Sequence, residues 1–280
     1  MTTTIRTSDG VHLHHTDTGP ASAPDGLTMV LVAGYMASAE TWALQVDALV
    51  AAGHRAISLD RRNHGRSDFP EHGQRMGRHG QDLHEALEQL DVTDVVLVGG
   101  SQGASTIWAY LDLHGDSRVR GVVSVDQTPR MLNGDGWDLG FYGYDRSNAA
   151  TYFAESIPAT GRGAGPERTF ATLQVLAARL GGDPTEAIGR LMPGLHPVTL
   201  PLLQDHALAD WRDVVARTGV PVLAVAGADS QYWPAEHAGA IASLAPRGRA
   251  LVLDDCGHAA NFDQPDAFNA GLLAFLAELA

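Results

Sequence analysis

Ser101 is the residue whose type and setting promise most chemistry, because it sits within Gly99-Gly100-Ser101-Gln102-Gly103. The run Asp94 to Val98 leads straight into these residues, and Ala104 to Leu111 continues as an expected helix. A serine on so sharp a strand-to-helix turn is pushed outward at a helix N-terminus, where exposed N–H groups favour developing negative charge. Glycines two positions either side are required, since side chains there would collide with the neighbouring strand and helix. A neutral hydroxyl is a poor nucleophile, so this chemistry needs a histidine base held by a carboxylate.

Among thirteen histidines, His258 is the base of choice. It follows the strand-like run Arg249 to Leu253 through Asp254-Asp255-Cys256-Gly257 and precedes the last helical pattern, so a loop can bring its ring back over the serine. Two carboxylates compete to orient it. Asp229 ends the run Val222 to Ala228, and Asp126 ends the run Val122 to Val125. The acid is expected after Ser and before His in chain order, and Asp229 is preferred because there a strand gives way to a loop at the carboxyl edge of the sheet, where parallel α/β sheets place their sites. Asp126 stays open as the rival. Two N–H donors must also face the oxyanion of a tetrahedral intermediate. Gln102 is expected to supply one and Tyr35 the other, on the loop Ala33-Gly34-Tyr35-Met36, where Gly34 permits close approach to the turn.

The elements that must position these groups are legible as short Val/Ile/Leu runs at 29–32, 56–59, 95–98, 122–125, 222–225 and 250–253, alternating with helical patterns. Continuous apolar runs suit strands buried on both faces, and the alternation predicts a mostly parallel central sheet with helices on both faces, an α/β fold. Ile5 to Thr7 and Val11 to Thr16 read as an antiparallel edge hairpin. Between Pro129 and Asp210 no strand-like run appears. The expected division is a core of 1–129 and 211–280 with a mostly helical cap at 130–210. Pro158 to Pro166 is too rich in Gly and Pro for a helix and reads as a mobile loop or hinge. The aromatics around it serve packing or substrate lining; Met131, Trp137, Tyr142, Tyr232 and Trp233 are the expected pocket walls.

Composition narrows the field further. The formal net charge is -14 and there is no lysine, so no basic stripe serves nucleic acid, and neither Schiff-base chemistry nor a phosphate-binding P-loop lysine is available. Cys256 is the single cysteine, which excludes an internal disulfide and a thiolate metal cluster. His12 and His14 share a strand face but lack a ligand pattern around them, so no metal is expected. The N-terminus has no apolar leader and no apolar run is long enough to span a bilayer. The expectation is a cytoplasmic protein without membrane or nucleic-acid partners, acting on a small molecule.

On the serine turn, the Asp229 loop and Cys256-Gly257-His258, the chain resembles the α/β-hydrolase superfamily over nearly its whole length outside the cap. Asp60-Arg61-Arg62-Asn63-His64-Gly65-Arg66-Ser67 also looks like the family's loop after the fourth strand, read here as structural. The chain departs at Ala33-Gly34, where many relatives have His-Gly. The resemblance is greatest to serine esterases and the cofactor-free haloperoxidase-like group, and serine rather than aspartate at the turn sets the chain apart from dehalogenases and epoxide hydrolases. It implies hydrolysis of a carboxylic ester or lactone without a cofactor. A C–C bond hydrolase or lyase with the same triad, and a ligand-binding protein on the same fold, are the alternatives.

Overall fold

The computed structural model describes residues 4–163 and 167–280. Among these residues eight strands form one sheet: β1 (Thr4–Arg6), β2 (His12–Asp17), β3 (Thr28–Val32), β4 (Arg55–Leu59), β5 (Val95–Gly100), β6 (Val119–Val125), β7 (Val222–Gly227) and β8 (Gly248–Leu253). Their spatial order is β1-β2-β4-β3-β5-β6-β7-β8. The hairpin β1-β2 is antiparallel at one edge, and every pair from β4 onward is parallel. The helices are α1 (Ala43–Ala51), α2 (Met76–Gln89), α3 (Gln102–His114), α4 (Glu167–Leu180), α5 (Pro184–Leu191), α6 (Leu200–Leu208), α7 (Arg212–Arg217), α8 (His237–Leu244), α9 (Ala260–Asp263) and α10 (Pro265–Ala277).

Burial on both faces explains the continuous apolar runs of the inner strands, with alternate residues going to opposite sides; the run at 250–253 is the exception, because β8 is an edge strand that leaves Ala250 and Val252 exposed. Val30, Val32, Val95, Leu97, Val222 and Ala224 pack with Leu83 and Leu87 of α2, Ile107 and Trp108 of α3, Val215 of α7 and Ile241 of α8. Their neighbours Met29, Leu31, Val96, Val98, Leu223 and Val225 face the other way, against Leu49 of α1 and Phe268, Leu272 and Leu276 of α10. The sheet therefore separates two apolar layers, and its central strand β5 carries the serine at its carboxyl end.

The chain between β6 and β7 lies over that end of the sheet. Arg130 and Asp210 form an isolated antiparallel bridge, and the Trp211 N–H donates to Pro129 O at 2.8 Å, so the segment leaves and re-enters the core at one narrow neck. It is less helical than the sequence suggests. No helix forms over 130–163; Phe141, Tyr144 and Phe153 instead bury themselves in a cluster with Trp233 and Leu203, held by turns. Closely spaced Gly, Asn and Asp around these aromatics, with Gly134, Asp135, Gly136 and Gly143 at positive φ, favour turns over a repeating helical face. Helices appear only from α4. α5 starts on a built cap: the Asp183 carboxylate accepts from the N–H groups of Thr185 and Glu186, and Pro184 takes the first turn. Of the Gly- and Pro-rich stretch, 158–163 is irregular and Ala164, Gly165 and Pro166 lie outside the described residues.

No helix among the described residues is long and apolar enough to cross a membrane.

Candidate active site

β5 ends at Gly100 and α3 begins at Gln102, leaving Ser101 alone to reverse the chain at φ 50 and ψ −126. That conformation is costly for a residue bearing a Cβ and persists only where its surroundings enforce it. Here the Ser101 N–H donates to Val125 O and the Ser101 carbonyl accepts from Ala104 N, each at 2.8 Å. The flanking glycines are needed sterically: a Cβ on Gly99 would stand 2.4 Å from Ala104 N, and one on Gly103 would stand 2.2 Å from Val32 O. The turn thus holds the side chain at the head of α3.

His258 lies between β8 and α9, with its N–H anchored on Gln231 Oε1 at 2.8 Å. Its Nδ1 is 2.7 Å from Asp126 Oδ2, which corrects the preference for Asp229. The reason is topological. β6 is the immediate neighbour of β5, with Val125 in register with Gly100, so the residue after Val125 emerges beside Ser101. Asp229 follows β7, a strand further away, and lies two residues beyond its end. Its N–H braces the Cys256 carbonyl at 2.8 Å, but the residue is exposed and its carboxylate takes no part in the hydrogen bonding around His258.

Asp126 is fully buried, in the left-handed region at φ 42. Besides His258, its carboxylate accepts from Ser230 Oγ at 2.7 Å and from the Gly227 N–H at 3.2 Å, and it meets His237 Nε2 at 3.3 Å. Burial alone would raise its pKa, but the bonds from His237 and His258 outweigh it and hold the carboxyl down at about 2. An ionised carboxylate assigns the proton of the shared bond to His258 Nδ1, leaving Nε2 bare as a base. Ser101 and His258 line one cavity. No hydrogen bond joins the Ser101 hydroxyl to the ring, a contact that in enzymes of this kind commonly forms only with substrate bound.

Tyr35 and Gln102 flank the serine as expected, and neither backbone N–H has an acceptor among the described residues. Gly34 makes this possible, since a Cβ there would meet Gly100 O at 3.2 Å and Ser101 Cβ at 3.3 Å. Gly34→Ala should therefore displace the Tyr35 loop by a few tenths of an ångström. Its expected result is kcat about tenfold down, since misplacing donors by about 1 Å costs about a hundredfold, with the melting temperature nearly unchanged. Steady-state kinetics and a thermal melt check both.

The cavity measures about 140 Å³ and is walled mainly by Trp42, Val125, Ile157, Met192, Tyr232 and Phe262. A smaller recess of about 20 Å³ continues from Ser101 and Gln102 towards Met131, Phe141, Leu203, His206 and Trp233. Met131, Tyr232 and Trp233 thus reach the site. Trp137 does not: its Nε1 donates to Arg130 O at 2.9 Å and Arg212 covers its ring, so it seals the neck. Tyr142 also stands back, its N–H donating to Tyr232 O at 2.8 Å and Arg162 over its ring. Ser230 and His237, which hold Asp126, and the walls Trp42, Met192 and Phe262 escaped sequence reading. Ser230 alone carried a signal, as the residue after Asp229 at a strand end. Among the described residues no group of three His, Cys, Asp or Glu side chains could hold a metal; His12 pairs with Asp68 and His14 with Asp60.

The profile of the alpha/beta hydrolase fold family matches residues 28–265, and the chain belongs to that family. A non-heme chloroperoxidase of Streptomyces lividans is 30% identical over 98% of this chain and 99% of its own. A bifunctional esterase/perhydrolase of Acinetobacter calcoaceticus is 25% identical over 97% and 98%. Among solved structures, a bromoperoxidase from Bacillus anthracis superposes with a TM-score of 0.78 at 24% identity, covering 98% of this chain and 99% of that one, a likeness of fold. The chain is thus an enzyme-family member grouped with proteins named as haloperoxidases and esterases.

Proposed function

We propose that the protein hydrolyses small, partly apolar carboxylic esters or lactones through an acyl-enzyme on Ser101. The observation that carries this is the 2.7 Å bond from His258 to the buried, ionised Asp126, on a ring that shares the serine's cavity. His258 Nε2 takes the Ser101 proton as Oγ attacks the carbonyl carbon. The N–H groups of Tyr35 and Gln102 receive the oxyanion, in the manner that makes such donors worth about a hundred- to a thousandfold in rate. Collapse expels the alcohol, which leaves with the proton from His258. Water, deprotonated by the same ring, then attacks the acyl-enzyme and releases the acid. Every proton and electron pair in this scheme comes from the protein, the ester and water.

The cavity of about 140 Å³ falls below the 300–1,000 Å³ usual for ligand sites, which favours a short acyl chain. On a series of p-nitrophenyl esters, kcat/KM is expected to peak at acetate to butyrate and to fall by about tenfold or more at octanoate. An optimum at palmitate would refute the size reading. Matched β-diketones, run in parallel, test the C–C hydrolase alternative, and wild-type turnover of neither class would leave the binding-protein alternative.

A further inference from the structure

Arg61 is buried behind the serine turn, and no carboxylate among the described residues lies within ion-pair distance of it. Its five N–H groups are met entirely by neutral acceptors: Ala33 O at 3.1 Å, Gly34 O at 2.8 Å, Gln102 Oε1 at 2.8 Å, His64 Nε2 at 3.0 Å and His79 Nδ1 at 3.3 Å. The two histidines are held neutral. His64 Nδ1 donates to Arg62 O at 2.8 Å, which leaves Nε2 as the lone pair facing Arg61. Burial and the nearby guanidinium push both imidazoles well below their ordinary range. An unpaired buried cation is expensive, and a protein keeps one where something else compensates it.

The acceptors indicate what that is. The Gly34 carbonyl and the Tyr35 N–H are two ends of one planar trans amide, so the N–H points away from the carbonyl that Arg61 grips. A charged donor on the oxygen polarises the amide and strengthens the N–H as a donor. The same guanidinium holds the side chain of Gln102, whose backbone supplies the other free N–H.

We infer that Arg61 is a positioning residue for the oxyanion hole: it ties the Tyr35 loop to the head of α3, and its unpaired charge finds its counter-ion only when the tetrahedral oxyanion forms. This inference rests on Ser101 being the nucleophile. It gives the loop at 60–67 a role beyond shaping the turn.

The test compares wild type with R61K, which keeps the charge, and R61Q, which keeps some hydrogen bonding without it. Each is measured for ester kinetics and for affinity towards an alkyl trifluoromethyl ketone, which forms an anionic adduct, and its non-fluorinated ketone counterpart, which stays neutral. For R61Q the expected result is kcat down about a hundredfold, KM within about threefold, and loss of trifluoromethyl ketone affinity without matching loss for the neutral ketone. R61K should keep kcat within about tenfold of wild type. A merely structural arginine would shift both ketones together. Equal kcat loss in R61K and R61Q, or a ratio of the two affinities in R61Q unchanged from wild type, would overturn the inference; if R61Q does not fold, R61K decides, because a lysine that keeps the charge must hold kcat within about tenfold and keep the wild-type affinity ratio, and loss of either would overturn it. A wild type that forms no adduct at all would instead overturn Ser101 as nucleophile.

Discussion

Asp126→Asn should lower kcat by about ten-thousandfold on an acetate ester near neutral pH, the scale on which loss of a triad carboxylate acts. Asp229→Asn should stay within about twofold, as exposed substitutions remote from structural features do. The contrast follows from the hydrogen bonding. An amide at position 126 offers His258 Nδ1 either a donor, which forces the proton onto Nε2 and abolishes the base, or a neutral oxygen that no longer stabilises the imidazolium. The carboxylate is also the shared acceptor for Ser230 and His237, so the variant loses their orientation as well. Thermal melts separate this from unfolding, because a folded Asp126→Asn protein with native secondary structure and no turnover has lost chemistry only. If Asp229→Asn proved the crippled variant, the assignment of the acid would be wrong.

Acid should unfold this protein early. His206 is buried beside the small recess, and burial, reinforced by the charge of Arg61, depresses its pKa to about 3. In the unfolded chain the ring titrates near 6.5, so between these values the unfolded state binds a proton that the folded state refuses. Stability is therefore complete above about pH 6.5 and declines as the pH falls through this window. His206 alone costs about 2 kcal/mol by pH 5. His64 and His79, depressed in the same direction by burial and by Arg61, steepen the loss, against a total stability that for most domains is only about 5–15 kcal/mol. Urea denaturation at a series of pH values should show the midpoint falling between pH 6.5 and 5 with an uptake of two to three protons. His206→Gln should flatten that slope by about one proton. A midpoint constant from pH 7 to pH 5 would show that these rings are not buried neutral.

The sheet was legible because its inner strands are covered on both faces, which leaves uninterrupted runs such as Val95 to Val98 that no surface element would carry. The serine turn was legible because steric necessity leaves glycines at 99 and 103. The acid was not, because two aspartates end neighbouring strands and only strand order tells which of them emerges beside Ser101. Both follow Ser101 and precede His258 in the chain, so sequence order cannot choose between them, whereas register favours Asp126, one residue beyond the Val125 that pairs with Gly100. The first half of the insertion hides its structure for a related reason. Phe141, Tyr144 and Phe153 are apolar without periodicity, and their burial depends on Trp233 and Leu203, which lie far along the chain. Arg61 was hidden because an arginine beside a glycine-containing loop looks solvated until the loop is seen to close over it.

The proposed hydrolysis depends first on Ser101 acting as the nucleophile, activated by His258. Intact-mass spectrometry after brief exposure to an alkyl fluorophosphonate tests it most directly. One covalent adduct is expected on wild type, mapped to Ser101, absent in Ser101→Ala and strongly slowed in His258→Ala and Asp126→Asn. A wild type that stays unmodified, or an adduct that persists in Ser101→Ala, would contradict it.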